Sequence, residues 1–442
     1  MEEDSNYSTL TLSLSPSSSS SSSSFSCFES FISFLLGTQC ALHFHLRLHF
    51  SGMTITDIEC HILLVPDVRS DVTSSAQDNI VVRVLTDEGL VGIGETDVNP
   101  WVARAAIESP STHTMGLGLK EMLVGQSLDE SPEKIWEKLY TGSAMNGRRG
   151  AVICAIGALD MAMWDLRGKA AGKPCWQLLG TKAKDVIVPY ASLQPNGNSF
   201  EEYRDSLVEW VLRARSLGFK AAKLEVTLTG PYNHSGLNEP DQRTTEVVEA
   251  CRTAVGDDFV LMVDVQYAWS DVDRALRTLQ TWKDLNLFFI ETPLQIDNLK
   301  GYAQLHREAP MPIAAGEWQT TRFEFEDLMD VGQVDVAQPD IGRVGGLTEA
   351  RRVCQMALER ERIIVPHCWK TGIGIAASAH LASVTDHCPY IEFLPAELCD
   401  SDLRKELVVD ELEMINGEIP LPQKPGLGIE LNEEALVRFR VD

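Results

Sequence analysis

The spacing of apolar residues changes character at residue 180. Before it, a strand-like run covers 54–65, and two further runs, 79–85 and 90–95, are joined through Thr86, Asp87, Glu88 and Gly89. A short polar connection ending in glycine between such runs predicts a β-hairpin. Helical spacing follows over 107–123 and 132–140. It returns over 151–171, where Gly172, Lys173 and Pro174 stop it. Together these elements predict an α+β unit over 53–180.

Beyond Gly180, short apolar runs alternate with amphipathic stretches of helical length. The predicted strands are 186–191, 221–226, 259–264, 287–291, 313–317, 334–338, 363–367 and 390–393, with helices such as 271–285, 347–360 and 373–385 between them. Repeated βα units of this kind imply an α/β fold, a modified (β/α)8-type barrel over 181–404 with the N-terminal α+β unit as its cap. The tail over 405–442 turns polar, with Pro420, Pro422 and Pro425, and is expected to return and pack on the cap. No run is long enough for a membrane helix.

Residues 1–52 differ from the rest, with an acidic start, an unbroken serine run from Ser17 to Ser24 and only a short apolar stretch after it. They lack the basic lead of a secretory signal and the arginines of a transit peptide, so a disordered extension is expected. The net charge of −26 disfavours nucleic acid and anionic membranes as partners. Ten cysteines without a CxxC pair suggest neither a zinc knuckle nor a disulfide framework, and fit a reducing, cytoplasmic setting.

Polar residues recur at the C-terminal ends of the predicted strands: Lys223, Asp264, Glu291, Glu317, Asp340, His367 and Glu392. In a parallel barrel those ends converge on the face that carries active sites. A lone acidic residue ending a strand is more often a cap or a solvated loop group; seven in succession are not. Three carboxylates on adjacent strands, Asp264, Glu291 and Glu317, require a cation or raised pKa values. An all-oxygen set selects a hard ion, Mg2+ first and Mn2+ as a substitute. Asp340 and His367 lie at neighbouring ends, where the carboxylate fixes the imidazole tautomer and makes a general base.

These phrases, Leu-Met-Val-Asp264, Phe-Ile-Glu291-Thr-Pro, Ala-Ala-Gly-Glu317-Trp, Gln-Pro-Asp340-Ile-Gly-Arg-Val-Gly-Gly and Val-Pro-His367, resemble the enolase superfamily in its mandelate racemase/muconate lactonizing enzyme branch. The resemblance runs from Met53 to the C-terminus. It implies a magnesium triad of Asp264, Glu291 and Glu317, an Asp340/His367 dyad, and Glu392 as a carboxyl group that hydrogen-bonds the developing enediolate. The helix over 158–169 resembles the family's signature and is read as structural. Members with two bases carry two lysines separated by one residue, whereas here Lys223-Leu224-Glu225 replaces the second. Lys223 then becomes a supporting cation, and two-base racemisation loses ground.

The implied reaction is dehydration of a sugar acid to a 2-keto-3-deoxy acid, with a small carboxylate as substrate. The polar insertion over 226–236 and the C-terminal segment over 424–432 resemble the rhamnonate dehydratases. A racemase or epimerase, a cycloisomerase and a noncatalytic enolase-fold binding protein are the alternatives. The resemblance also implies a homo-oligomer. Selectivity is expected from capping loops over 66–78 and 99–104. Trp101 is either a shield over the site or a packing residue, and His234 is expected to be solvated.

Overall fold

The computed structural model describes residues 52–69 and 76–441, all within one compact unit. The expected extension, apart from Gly52, and positions 70–75 of the first capping loop lie outside the described residues.

The hairpin forms as predicted. Strands β1 (Ile55–Leu64), β2 (Asp78–Thr86) and β3 (Val91–Thr96) make an antiparallel sheet in that order. The single helix expected over 107–123 does not form. Instead α1 (Pro100–Glu108) ends before Pro110, and α2 (Leu119–Leu123) starts only after Gly116 and Gly118. Proline disfavours helical backbone in the residue before it, and glycine costs helix stability, so the apolar spacing was overridden by its breakers. The second expected loop, 99–104, is the start of α1: the Asn99 side chain caps Val102 and proline fills the first helical position.

Next come α3 (Pro132–Gly142) and α4 (Ala151–Ala171), the latter over the predicted residues. Seventeen consecutive α4 residues, Val152 to Gly168, are buried because the helix lies between the N-terminal sheet and the barrel. Asp160 on α4 accepts from the Thr348 backbone N–H at 2.9 Å and its hydroxyl at 2.6 Å, while Trp164 donates to the same hydroxyl at 2.9 Å. The signature helix is thus bolted to the barrel by satisfied buried polar groups, not only by apolar packing.

The main sheet holds eight parallel strands. After a two-residue strand β4 (Val186–Ile187), these are β5 (Pro189–Leu193), β6 (Ala221–Glu225), β7 (Val260–Asp264), β8 (Leu287–Glu291), β9 (Ile313–Ala315), β10 (Val336–Ala337), β11 (Ile363–Ile364) and β12 (Ile391–Phe393). Their order is β12-β5-β6-β7-β8-β9-β10-β11, and no ladder joins the two outer strands among the described residues. Tyr190, Met262, Phe289, Val336 and Val365 fill the space inside. The capped barrel read from the sequence is the observed fold. In the tail, the helix Glu433–Phe439 lies by β1, and the Val441 N–H donates to the Ile62 carbonyl at 3.0 Å.

Candidate active site

All seven polar strand-end residues are buried. Asp264 and Glu291 close β7 and β8 in direct register, and Glu225 pairs with Asp264 from the other side. Glu317 follows β9 after Gly316, whose φ of +137° belongs to glycine; an added Cβ would stand 2.9 Å from the Gln338 nitrogen. Asp340 follows β10, His367 follows β11, and Lys223 and Glu392 lie within β6 and β12.

His367 Nδ1 is 2.7 Å from Asp340 Oδ2, and Nε2 is 3.1 Å from Glu317 Oε2. Asp340 Oδ1 meanwhile accepts the Arg343 N–H at 3.1 Å, so one carboxylate caps a helical turn and orients the imidazole. Burial alone would lower the His367 pKa, but Glu392, the Asp340 hydrogen bond and Glu317 outweigh it and raise the value to about 9.

Lys223 Nζ bridges Glu291 Oε1 and Glu392 Oε1, both at 2.8 Å. Burial opposes its charge, yet these two carboxylates hold it well above the ordinary lysine range. Glu392 also accepts from the Ser192 hydroxyl at 2.6 Å and the Cys368 N–H at 2.7 Å. Burial would raise its pKa; Lys223 and His367 bring it down to about 2.

Burial, then repulsion from Glu291, pushes Asp264 well above the ordinary carboxylate range, while Lys223 and Thr292 oppose the shift and Glu317 adds to it. Burial raises Glu291 as well. Three carboxylates are buried on successive strands, with Lys223 on Glu291 and Arg343 3.6 Å from Glu317, and their oxygens suit a hard divalent ion. Among the described residues no three acidic, histidine or cysteine groups close into a finished metal shell. Protein donors hold the trio instead. Thr292 donates to Asp264 at 2.6 Å, Gln338 to Glu291 at 2.6 Å and Tyr267 to Glu317 at 2.7 Å. The donor chemistry fits the ion, and side-chain rotation would have to complete the shell.

Several residues at the site carried no sequence signal: Ser192, Tyr267 and a cluster with the cap. Asp97, just past β3, pairs with Arg343, and Lys370 lies 3.0 Å from Asp97 and 2.7 Å from Asp78. Burial would raise Asp97, but Arg343 and Lys370 hold it below the ordinary carboxylate range. Glu225 is buried and accepts from Gln194 at 3.1 Å. His234 is not solvated: it is half-buried, with Nε2 2.7 Å from the Gly197 carbonyl and its ring edge-on to Tyr203. Trp101 stands half-exposed on α1.

The chain matches the family described as enolase C-terminal domain-like over residues 206–435, and the mandelate racemase/muconate lactonizing enzyme N-terminal domain over 54–180. It is 29% identical to the D-galactarolactone cycloisomerase of Agrobacterium fabrum, over 88% of this chain and 99% of that protein. It is 30% identical to the L-rhamnonate dehydratase of Saccharopolyspora erythraea, over 82% of this chain and 85% of that one. The crystal structure of a racemase from Streptomyces coelicolor A3(2) with bound magnesium shares 26% identity and a TM-score of 0.74, covering 88% of this chain and all 100% of that one. With both domains matched in order, the chain belongs to the mandelate racemase/muconate lactonizing enzyme family of the enolase superfamily.

Proposed function

We propose that the protein removes the proton next to the carboxylate of a sugar acid and expels the 3-hydroxyl as water, giving a 2-keto-3-deoxy acid. The observation that carries this reading is the buried His367–Asp340 pair, with the second nitrogen of the ring turned towards the carboxylate trio at Glu317. Asp264, Glu291 and Glu317 would hold Mg2+, with Mn2+ as a substitute. The ion would supply Lewis-acid stabilisation of the negative charge that develops on the substrate carboxylate.

His367 Nε2 takes the C2 proton while Nδ1–H stays on Asp340, which balances the imidazolium as it forms. The buried Lys223 ammonium adds a fixed positive charge to the side of the site where Glu291 and Glu392 lie. The same imidazolium returns its proton to the departing 3-hydroxyl, so water leaves and the enol left behind tautomerises to the keto acid. One residue serving as base and then acid needs no partner on the opposite face. That agrees with Glu225 at the position of a second lysine. A small-molecule carboxylate is thus the proposed partner.

Proton abstraction at C2 also serves a cycloisomerase, a second reading favoured by the similarity to the Agrobacterium relative over nearly its whole length. Incubating the full chain with Mg2+ in deuterium oxide, with L-rhamnonate, arabinonate or D-galactarolactone, separates them. Semicarbazide-reactive keto acid from an aldonate is the expected result. Ring opening of the lactone without keto acid from any aldonate moves the assignment to cycloisomerisation, and C2 deuterium with neither product moves it to racemisation.

A further inference from the structure

The cap meets the candidate site along one edge of its sheet. Strands β2 and β3 are antiparallel with Ile80 opposite Thr96, so Asp78, at the start of β2, and Asp97, just past β3, share that edge. The Thr96 hydroxyl donates to the Gly342 carbonyl at 2.6 Å. A Cβ on Gly342 would stand 3.1 Å from the Thr96 Cα, so glycine lets the edge lie this close to the turn that Asp340 caps.

Two largely buried cations of the barrel face the same edge. Arg343 pairs with Asp97 through Nη2, and its Nε donates to the Asp97 carbonyl at 3.2 Å. Its Nη1 donates to the Glu317 carbonyl at 3.1 Å and lies 3.6 Å from Glu317 Oε2. Lys370 Nζ is 3.0 Å from Asp97 Oδ1 and 2.7 Å from Asp78 Oδ1. Glu95 fixes the Lys370 loop, accepting from the Thr371 hydroxyl at 2.7 Å and the Gly374 N–H at 2.8 Å. Two cations thus meet two cap carboxylates, and Asp97 touches both cations.

A sugar acid anchored by its carboxylate at the trio, with C2 at His367, leaves the rest of its carbon chain to run on from these two anchors. Arg343 touches the first anchor at Glu317, and Lys370 follows His367 by three residues. A second carboxylate at the far end of that chain would meet cations already neutralised, with Asp97 beside them. Like charges at close range repel, and a carboxylate taken out of water needs a partner of its own. A terminal hydroxyl or methyl group carries no such cost.

We infer that Asp97 is a specificity-determining residue: by taking up Arg343 and Lys370 it restricts the site to sugar acids with a single carboxylate and turns diacids away. This rests on the proposed proton abstraction, which sets the reacting end of the substrate at the trio. The discrimination works by repulsion of the wrong acid more than by attraction of the right one.

Ligand-observed NMR titrations of the full chain with Mg2+ give Kd for acids that differ only in the oxidation of the last carbon, D-galactonate with D-galactarate and D-gluconate with D-glucarate. The unaltered chain should bind the monoacid of a pair more tightly. Asp97→Asn frees positive charge, and the preference should move towards the diacid by about tenfold or more. Lys370→Met leaves Asp97 less neutralised and should move it the other way, whereas Asp97→Glu, which keeps the charge, should hold it. A purely structural role would weaken both acids alike. Diacids bound as tightly as monoacids by the unaltered chain, binding of neither member of either pair, or a ratio that ignores the charge changes overturns the assignment. Should Asp97→Asn fail to fold, the direction of the Lys370→Met change decides. C2 deuterium exchange on the same samples separates the two ideas. Exchange with an unmoved preference sinks the role of Asp97 alone. A preference that follows the substitutions, with no exchange on any acid, sinks the proton-abstraction reading alone.

Discussion

At their C-terminal ends the barrel strands bury Lys223, Asp264, Glu291 and Glu392, with His367, Asp340 and Glu317 just beyond. At their N-terminal ends the same strands line a cavity of about 330 Å³ with Phe259, Val260, Leu287, Phe288, Val336 and Ile363. One end is held by hydrophobic transfer, which is insensitive to orientation. The other buries charges whose desolvation is costly unless every partner is present. Substitutions at the apolar end should therefore move stability alone, and substitutions at the polar end should also move activity, pH dependence and metal response.

His367→Asn is the sharpest test of the polar end. It should lower kcat/KM by about 10² to 10⁴-fold, the range of a lost general base. A variant with its thermal midpoint intact and its turnover unchanged would remove His367 from the chemistry. Lys223→Met comes next. It leaves Glu291 and Glu392 buried without their cation, and denaturant unfolding should show a loss of roughly 3–5 kcal/mol. One carboxylate can escape by taking a proton, so the loss should be larger at pH 8 than at pH 5.5.

The counterpart at the apolar end is Phe259→Ala, with an expected cost of about 3 kcal/mol in stability and kcat held in the folded fraction. A fall in kcat instead would dissolve the distinction between the ends. Magnesium supplies a smaller and opposite effect. At a hundred times its Kd it should stabilise the protein by about 2.7 kcal/mol, visible as a raised Tm, and Glu291→Gln should abolish the rise.

The smallest effect is a shift in pH. His367 is raised to about 9, so its neutral, proton-accepting form is populated above that value and lost as pH falls through it. The acidic limb of kcat/KM should follow. Asp340→Asn removes a group that raises this pKa, so the limb should move to lower pH while the maximum rate drops. A limb that stays in place would mean that another group controls it.

Much of this was legible in one sequence. The strand runs end in polar residues at 264, 291, 317 and 367, and a parallel sheet converts that repetition along the chain into convergence in space. Helix α4 was readable over its full length because it is long and ends in a strong stop at Gly172 to Pro174. The run over 107–123 misled because its apolar spacing outlasts the helix, and its breakers, Pro110, Gly116 and Gly118, had to be weighed against that spacing. Strands β10 and β11 are only two residues long, since their ladders stop where the chain turns towards Asp340 and His367.

By itself the sequence determined which functional groups the barrel end carries, because three carboxylates, an Asp/His pair and one lysine are a matter of residue type and strand order. Only the tertiary structure decided how those charges share their partners. Asp97 meets Arg343 across 246 positions, and Glu392 meets Lys223 and Ser192 from strands far away in the chain. The gathering of Tyr232, Tyr267 and Trp318 has the same origin. Each ring is an ordinary aromatic in its own loop, and nothing in local spacing records that loops closing three different strands bring the rings together.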